Sequence, residues 1–198
     1  MGFVEVKKLM NFRKSTFDDV DRILEIIEKA KIELKKLGLD QWQNSYPNRE
    51  VVENDIKNEF SYVLEEIAKK DNKSENQIFK KIIGTIVLSP EKEESYSKIE
   101  GKWITNDDYI VIHRLAVDSE IKNKGIATKI LEFSEKECIK NKILSIKADT
   151  HENNEPMKKF LEKNGFSYCG VIYLDREPDI GEKRIVYEKI IKIPHKLL

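Results

Sequence analysis

An α/β fold built on a mixed central sheet is predicted for this chain of 198 residues. Residues 109–117 form a strongly apolar run that suits a buried central strand. From residue 125 onward, helical and extended patterns alternate, which is typical of a sheet whose strands are joined by crossover helices. We therefore expect about six to seven strands, with helices on both faces of the sheet.

The first predicted element is an amphipathic helix. Thr16 and Asp19 provide a start signal, and Gly38 is a typical stop. Between them, apolar residues recur at three- and four-residue spacing, which places them on one helical face. These residues are Val20, Ile23, Leu24, Ile27, Ala30, Leu34 and Leu37.

A short second helix and two strands follow. Pro47 suits the first turn of a helix that continues through Val52 and Ile56. Residues 62–67 and 79–88 are β-rich, and the polar run 69–77 between them is interpreted as a long hairpin loop. The remaining predicted elements are the strand 109–117, the helix 125–140, the strand 143–148, the helix 156–163, and the strands 166–174 and 184–191.

Composition limits the classes of function. Lys and Arg number 36, as do Asp and Glu, so no net charge attracts the whole molecule to nucleic acid or to a membrane surface. No stretch approaches the roughly 20 apolar residues that span a bilayer, and the first residues lack a signal-peptide pattern. We expect a cytoplasmic protein with one domain over residues 1–198. The sequence is compatible with a homodimer.

The junction between the strand 109–117 and the next helix is the most informative segment. Backbone N–H groups at a helix start lack intrahelical acceptors, and the helix dipole adds partial positive charge there. Gly125 allows close approach of a phosphate, and Lys122 and Lys124 add formal charge. With one glycine, the segment is neither a Walker A loop nor a dinucleotide fingerprint. Pyrophosphate is the expected ligand, although an ordinary crossover with solvated lysines is the alternative.

The segment resembles the cofactor loop of the GNAT acetyltransferases, Gln/Arg-x-x-Gly-x-Gly/Ala. A second stretch, Asn154 to Pro156 followed by Gly165-Phe166, resembles the family's second motif, in which an Asn opens a helix that ends in Gly-Phe. Two motifs in the right order make the likeness specific, and it is closest to bacterial small-molecule members. Lys122 replaces the usual Gln or Arg, and Leu161 stands where many members place a Tyr that protonates the departing thiolate.

The resemblance implies a sheet with splayed central strands that hold acetyl-CoA, and no metal. Asn154 would hold the pantetheine arm, and an N–H near Leu115 would stabilise the oxyanion. The acceptor, a primary amine of a small molecule or peptide, would attack the thioester directly. The residues expected to contact the cofactor are Leu115, Ala116, Val117, Lys122, Asn123, Lys124, Gly125, Ile126, Ala127, Thr128 and Asn154. A GNAT fold that binds acyl-CoA as a sensor or docking module without turnover is the alternative, supported by Leu161.

His113 and Arg114 are adjacent polar residues in an apolar strand, so at least one of their side chains is buried or faces a cavity. His113 is the candidate general base, and a hydrogen-bonded structural histidine is the alternative. Trp42, Tyr46 and Trp103 lie in predicted loops, where they either border the acceptor pocket or plug the sheet.

His151 has acidic neighbours, but such residues at a helix start are more often caps than metal ligands. Cys138 and Cys169 are distant in sequence and lack CxxC spacing, so we expect packed, reduced thiols.

Overall fold

The computed structural model describes residues 6–72, 75–121, 125–175 and 177–192. Strands and helices alternate along the chain in the α/β arrangement that the sequence predicts. The strands are β1 Val6–Lys14, β2 Ser61–Asn72, β3 Glu75–Ser89, β4 Glu100–Gly101, β5 Tyr109–Val117, β6 Ser145–His151, β7 Ser167–Tyr173 and β8 Lys183–Ile190. The helices are α1 Val20–Lys36, α2 Arg49–Lys57, α3 Glu94–Ser97, α4 Ile126–Lys140 and α5 Glu155–Lys163.

The described strands form one sheet in the order β1-β2-β3-β5-β6-β8-β7-β4. Neighbouring strands are antiparallel except β5 and β6, which are parallel and pair only through Tyr109–Val111 and Ser145–Lys147. Beyond these residues the two strands separate, so the expected splay at the centre of a mixed sheet is confirmed. The eight strands exceed the expected number because β1 and the two-residue β4 were not predicted.

The predicted long loop over residues 69–77 is wrong. Strands β2 and β3 continue pairing as far as Asn72 opposite Glu75, so most of the polar run is β-structure. Backbone hydrogen bonds form this ladder, and they do not require apolar side chains once a hairpin extends past the core. A composition-based reading therefore ends both strands too early.

Helices cover both faces of the sheet, as predicted. Successive strand residues point to opposite faces: Val63 packs with α1 and α2, whereas Leu64 belongs to the cluster that contains Ile130 of α4 and Leu161 of α5. In β5, Ile112 lies on the same face as Leu64, whereas Val111 lies on the face of Val63 and packs with Tyr96 of α3. The first face therefore carries α1, α2 and α3, and the second carries α4 and α5.

The predicted helix limits are close to those observed. Gly38 has φ +74°, a left-handed conformation that glycine adopts without strain, and it follows the end of α1. The second helix begins at Arg49 with Asn48 as its N-cap, rather than at Pro47. Strand β6 begins two residues later than predicted and continues to His151.

Candidate active site

A cavity of about 400 Å³ opens where β5 and β6 separate. Most of the residues that line it come from α1, the segment between α1 and α2, β5, β6, the first turn of α4, and α5, and Arg184 of β8 is also among them. They include Gln41, Trp42, Tyr46, His113, Arg114, Leu115, Ala116, Val117, Ala127, Ala148, Asp149, Thr150, Asn154 and Leu161. One space thus connects the start of α4 with the face of the sheet that carries α1.

The expected cofactor residues lie at one end of this cavity. Leu115, Ala116 and Val117 line it from β5, and Ala127 lines it from the first turn of α4. Gly125 is the N-cap of α4 with φ +70°, and a Cβ built there meets no heavy atom within 4 Å. The space at this helix start is therefore open, which fits an anionic group held by backbone N–H groups.

The other expected cofactor residues divide into two groups. Ile126 is buried in the core and Thr128 is half-buried, both in the first turn of α4. Lys122, Asn123 and Lys124 lie outside the described residues.

Asn154 caps α5 and also lines the cavity. Its Oδ1 accepts a hydrogen bond from the N–H of Met157 at 3.1 Å, which confirms the predicted helix start. Its Nδ2 donates to Oε1 of Gln41 at 3.2 Å. The Asn154 side chain therefore joins α5 to the segment between α1 and α2, across the mouth of the cavity.

Arg114 organises the opposite wall. It has φ +52°, at an irregularity in the pairing of β5 with β3. Its Nη1 donates to the hydroxyl of Tyr46 at 2.7 Å, and its Nη2 donates to Oδ1 of Asp55 at 2.5 Å. Burial raises the pKa of the Asp55 carboxyl, although the charge and hydrogen bond of Arg114 act in the opposite direction. Tyr46 and Trp42 both line the cavity, as a pocket border requires.

Trp103 is not among the residues that line this cavity. Its ring stacks on Tyr96 with centroids 5.3 Å apart, and its Nε1 donates to the carbonyl of Tyr96 at 2.9 Å. The ammonium of Lys147 lies 4.0 Å from the centroid of the indole ring. Trp103 therefore lies in the segment before β5 and packs its side chain on the sheet, so it covers the core and does not border the pocket.

His113 lines the cavity and has a carboxylate partner. Its Nε2 lies 2.9 Å from Oε1 of Glu93, and the two side chains are 10% and 14% exposed. Glu93 precedes α3 as its N-cap residue. A carboxylate at one imidazole nitrogen orients the ring and stabilises the charge that forms when the other nitrogen takes a proton.

Sequence reasoning missed three further polar side chains at the cavity. Asp149 lies on β6, and its Oδ1 accepts a hydrogen bond from the hydroxyl of Tyr96 at 2.8 Å. The hydroxyl of Thr150 is buried without a hydrogen-bond partner among the described residues. Arg184 of β8 is 2% exposed and also lines the cavity. The only sequence signal for Asp149 and Thr150 was that two polar residues occur near the end of a predicted apolar strand.

Leu161 is buried at the cavity wall and has no proton to donate. Cys138 and Cys169 are buried free thiols; burial raises the pKa of Cys138 to about 12 and also raises that of Cys169. Over the described residues no group of three His, Cys, Asp or Glu side chains could hold a metal ion. No helix in the same ranges is long and apolar enough to cross a membrane.

Solved structures with the same fold are numerous. A GNAT-family acetyltransferase from Streptococcus agalactiae 2603 is 30% identical with a TM-score of 0.76, and the match covers 93% of this chain and 96% of that one. A Staphylococcus aureus Mu50 protein described as an acetyltransferase is 27% identical with a TM-score of 0.62, over 91% and 99% of the two chains. PaiA N-acetyltransferase from Thermoplasma acidophilum, solved with coenzyme A, shares the fold at 21% identity and a TM-score of 0.59, over 92% and 99%.

Among curated proteins, streptothricin acetyltransferase from Escherichia coli is 30% identical over 79 residues. That match spans 40% of this chain and 45% of the relative, which is less than half of each. The family model described as "Acetyltransferase (GNAT) family" matches residues 23–166, from α1 to the residue before β7. This match includes both sequence motifs and the splayed strands, and the chain therefore belongs to the GNAT acetyltransferase family.

Proposed function

We propose that this protein transfers the acetyl group of acetyl-CoA to a primary amine of a small molecule or peptide, by direct attack within a ternary complex. One observation carries the proposal: a single cavity is lined both by Ala127, in the first turn of α4, and by His113, whose Nε2 lies 2.9 Å from Oε1 of Glu93. An anion-binding end and a proton-accepting end in one space are what a CoA-dependent transfer to an amine needs.

The cofactor end would bind CoA through backbone groups. The first turn of α4 would hold the pyrophosphate, and the separated edge of β5 at Leu115 to Val117 would pair with the pantetheine arm. Asn154, which lines the same cavity, would contact this arm. The bound cofactor supplies an activated acetyl thioester, and the N–H near Leu115 would donate to its oxygen.

The acceptor end would activate the amine. An alkylamine with a pKa near 10.4 is neutral in only about one part in a few thousand at pH 7. His113, oriented by Glu93, would take a proton from the ammonium, and the free amine would then attack the thioester. The Trp42 and Tyr46 side chains, the latter held by Arg114, would border the acceptor.

The partial likeness to streptothricin acetyltransferase supports a small-molecule acceptor. A second function, acyl-CoA binding without turnover, is favoured by Leu161, because this buried side chain cannot protonate the leaving thiolate. A thiol with a pKa near 8.5, the cysteine reference value, is a tolerable leaving group without such an acid. We therefore prefer the catalytic function to acyl-CoA binding without turnover.

Release of free CoA from acetyl-CoA, measured with a panel of amines, tests the proposal. We expect release that depends on the amine and yields an acetylated product by mass spectrometry. The variant Gly125→Glu should lose this activity together with CoA binding in calorimetry, since its carboxylate would repel the pyrophosphate. Tight CoA binding without release for every amine would instead establish the binding module.

A further inference from the structure

Asp149 is a largely buried carboxylate at the acceptor end, and among the described residues only its Oδ1 has a hydrogen-bond donor. Its side chain is 10% exposed and lines the cavity. Oδ1 accepts a hydrogen bond from the Tyr96 hydroxyl at 2.8 Å, but the nearest cation to Oδ2 among the described residues, Nε of Arg184, is 3.9 Å away, beyond hydrogen-bond distance. In the part of the chain that the structure describes, Oδ2 makes no hydrogen bond. A carboxylate oxygen on the cavity wall can accept a hydrogen bond from a bound ligand, and a cationic donor forms the stronger one.

Arg184 does not donate to Oδ2 of Asp149, because its guanidinium contacts other acceptors. Its Nη2 lies 2.6 Å from Oε2 of Glu182 and 3.2 Å from Oδ2 of Asp179, and its Nη1 donates to the carbonyl of Lys183 at 3.3 Å. Two carboxylates thus offset the charge of this guanidinium. Arg184 therefore adds little net positive charge beside Asp149.

Asp149 and His113 lie on opposite sides of the splay. The last paired residues of the two strands are Val111 and Lys147, and each candidate lies two residues farther along its strand. Because side chains alternate along a strand, Asp149 shares the face of Lys147, as His113 shares that of Val111. An acceptor that enters between the strands on this face would thus have His113 on one side and Asp149 on the other.

We propose that Asp149 determines acceptor specificity by binding a second ammonium group, so that the preferred acceptors are diamines or larger polycations. This inference rests on the proposed function and names the substrate class of the same site. The ammonium at Asp149 is not the attacking one, because a carboxylate beside the attacking group would favour its protonated, non-nucleophilic form. The same contact on a second ammonium binds substrate without opposing the reaction.

Matched pairs of acceptors test the proposal, such as 1,4-diaminobutane with butylamine and 1,5-diaminopentane with pentylamine. The protein should favour each diamine by at least about tenfold in kcat/KM, as expected for a hydrogen bond between charged groups. The substitution Asp149→Asn keeps the size and an acceptor for Tyr96 but removes the charge. It should lower the diamine-to-monoamine ratio to near one, through KM rather than kcat.

Asp108→Asn is the matched control, because it removes one carboxylate that is 82% exposed and paired with Lys92. It should preserve the ratio. Equal loss of both acceptors in Asp149→Asn, or no diamine preference in the parent protein, would overturn the proposal. If no amine releases CoA, the proposed function fails. The preference for diamines is then tested by calorimetry, in which each diamine and its matched monoamine are titrated into CoA-saturated protein. Equal affinities for the diamine and the monoamine would overturn the proposal.

Discussion

The guanidinium of Arg114 donates to the carboxylate of Asp55 at 2.5 Å, with both side chains about nine-tenths buried. This contact connects the irregular segment of β5 to α2. Arg114 also donates to Tyr46, which lies a few residues before α2. The strand expected to hold the thioester is thereby connected to one wall of the acceptor pocket. The position of that wall depends on a strand residue in a left-handed conformation, φ +52°.

Arg114→Met should destabilise the fold by about 3–5 kcal/mol, because it leaves Asp55 buried without its cation. Urea unfolding measures this free energy. The double variant Arg114→Met with Asp55→Asn should recover much of it, since the uncompensated charge is removed as well. If the second substitution added its own loss instead of recovering stability, the pair would not be the source of the effect.

The candidate cofactor end was largely predictable because its signals are local. A nine-residue apolar strand, a lone Gly125 and a periodic helix occupy consecutive positions, and the structure places β5 and α4 where these patterns put them. The helix start at Asn154 was equally local, since its cap bond reaches only three residues ahead. Gly125 in particular combines a left-handed φ with open space.

Substitutions at Gly125 should separate backbone strain from ligand contact. Gly125→Asn should fold with little loss, because Asn tolerates a left-handed conformation, and Gly125→Ala should cost about 1 kcal/mol. Thermal unfolding without ligand provides these values. Both variants should lose CoA affinity in calorimetry beyond any effect on stability, since the added Cβ points into space that no described residue beyond the chain neighbours occupies within 4 Å. Unchanged affinity in both would place the phosphate elsewhere.

The two tryptophans should respond differently to replacement by leucine. Trp42 lines the cavity, so Trp42→Leu should raise the acceptor KM about tenfold, equivalent to about 1.4 kcal/mol, and affect the acetyl-CoA KM less. Trp103 packs on Tyr96 and Lys147, so Trp103→Leu should lower the free energy of unfolding by roughly 2–4 kcal/mol. Steady-state kinetics and urea unfolding of both variants check this contrast. A selective acceptor effect in Trp103→Leu would contradict it.

The acceptor end could not be predicted from the sequence because its contacts are long-range. Tyr96 and Asp149 are 53 residues apart, and Arg114 lies 68 residues from Tyr46. Hydrophobic periodicity is a local pattern, so it does not predict which of these residues are in contact. Trp42 and Trp103 have equivalent sequence settings, and only the packing of α3 against β5 and β7 separates a pocket wall from a core plug.

Asp118 should make stability depend on pH. This carboxylate is fully buried after β5 and pairs with Arg22. Burial acts to raise its pKa, but the N–H of Glu120 and the Arg22 guanidinium outweigh that effect and lower the pKa to about 2. A pKa below its unfolded value contributes stability above about pH 4, here about 2 kcal/mol, which is lost as pH falls toward 2. Asp118→Asn should thus destabilise the protein more at pH 7 than at pH 3; an equal loss at both would exclude this linkage.

His113 should be the group that deprotonates the acceptor, and pH–rate profiles test this role. His113→Ala should lower kcat/KM by roughly 10² or more at pH 7. The deficit should shrink as pH rises toward the pKa of the amine, because free amine then needs no base. Glu93→Gln keeps the shape of the partner and removes its charge, so it should produce a smaller loss with the same pH trend.

A purely structural His113 would give a different pair of results. Its removal would take one polar partner away from the largely buried Glu93 carboxylate and lower the free energy of unfolding by about 1–3 kcal/mol. Turnover per folded molecule would then change little and without a pH trend. Thermal unfolding and the pH–rate profile are therefore measured on the same variant. A stable variant with a pH-dependent rate loss supports the base, whereas a destabilised variant with a constant rate ratio excludes it, since a base is needed only while the amine is protonated.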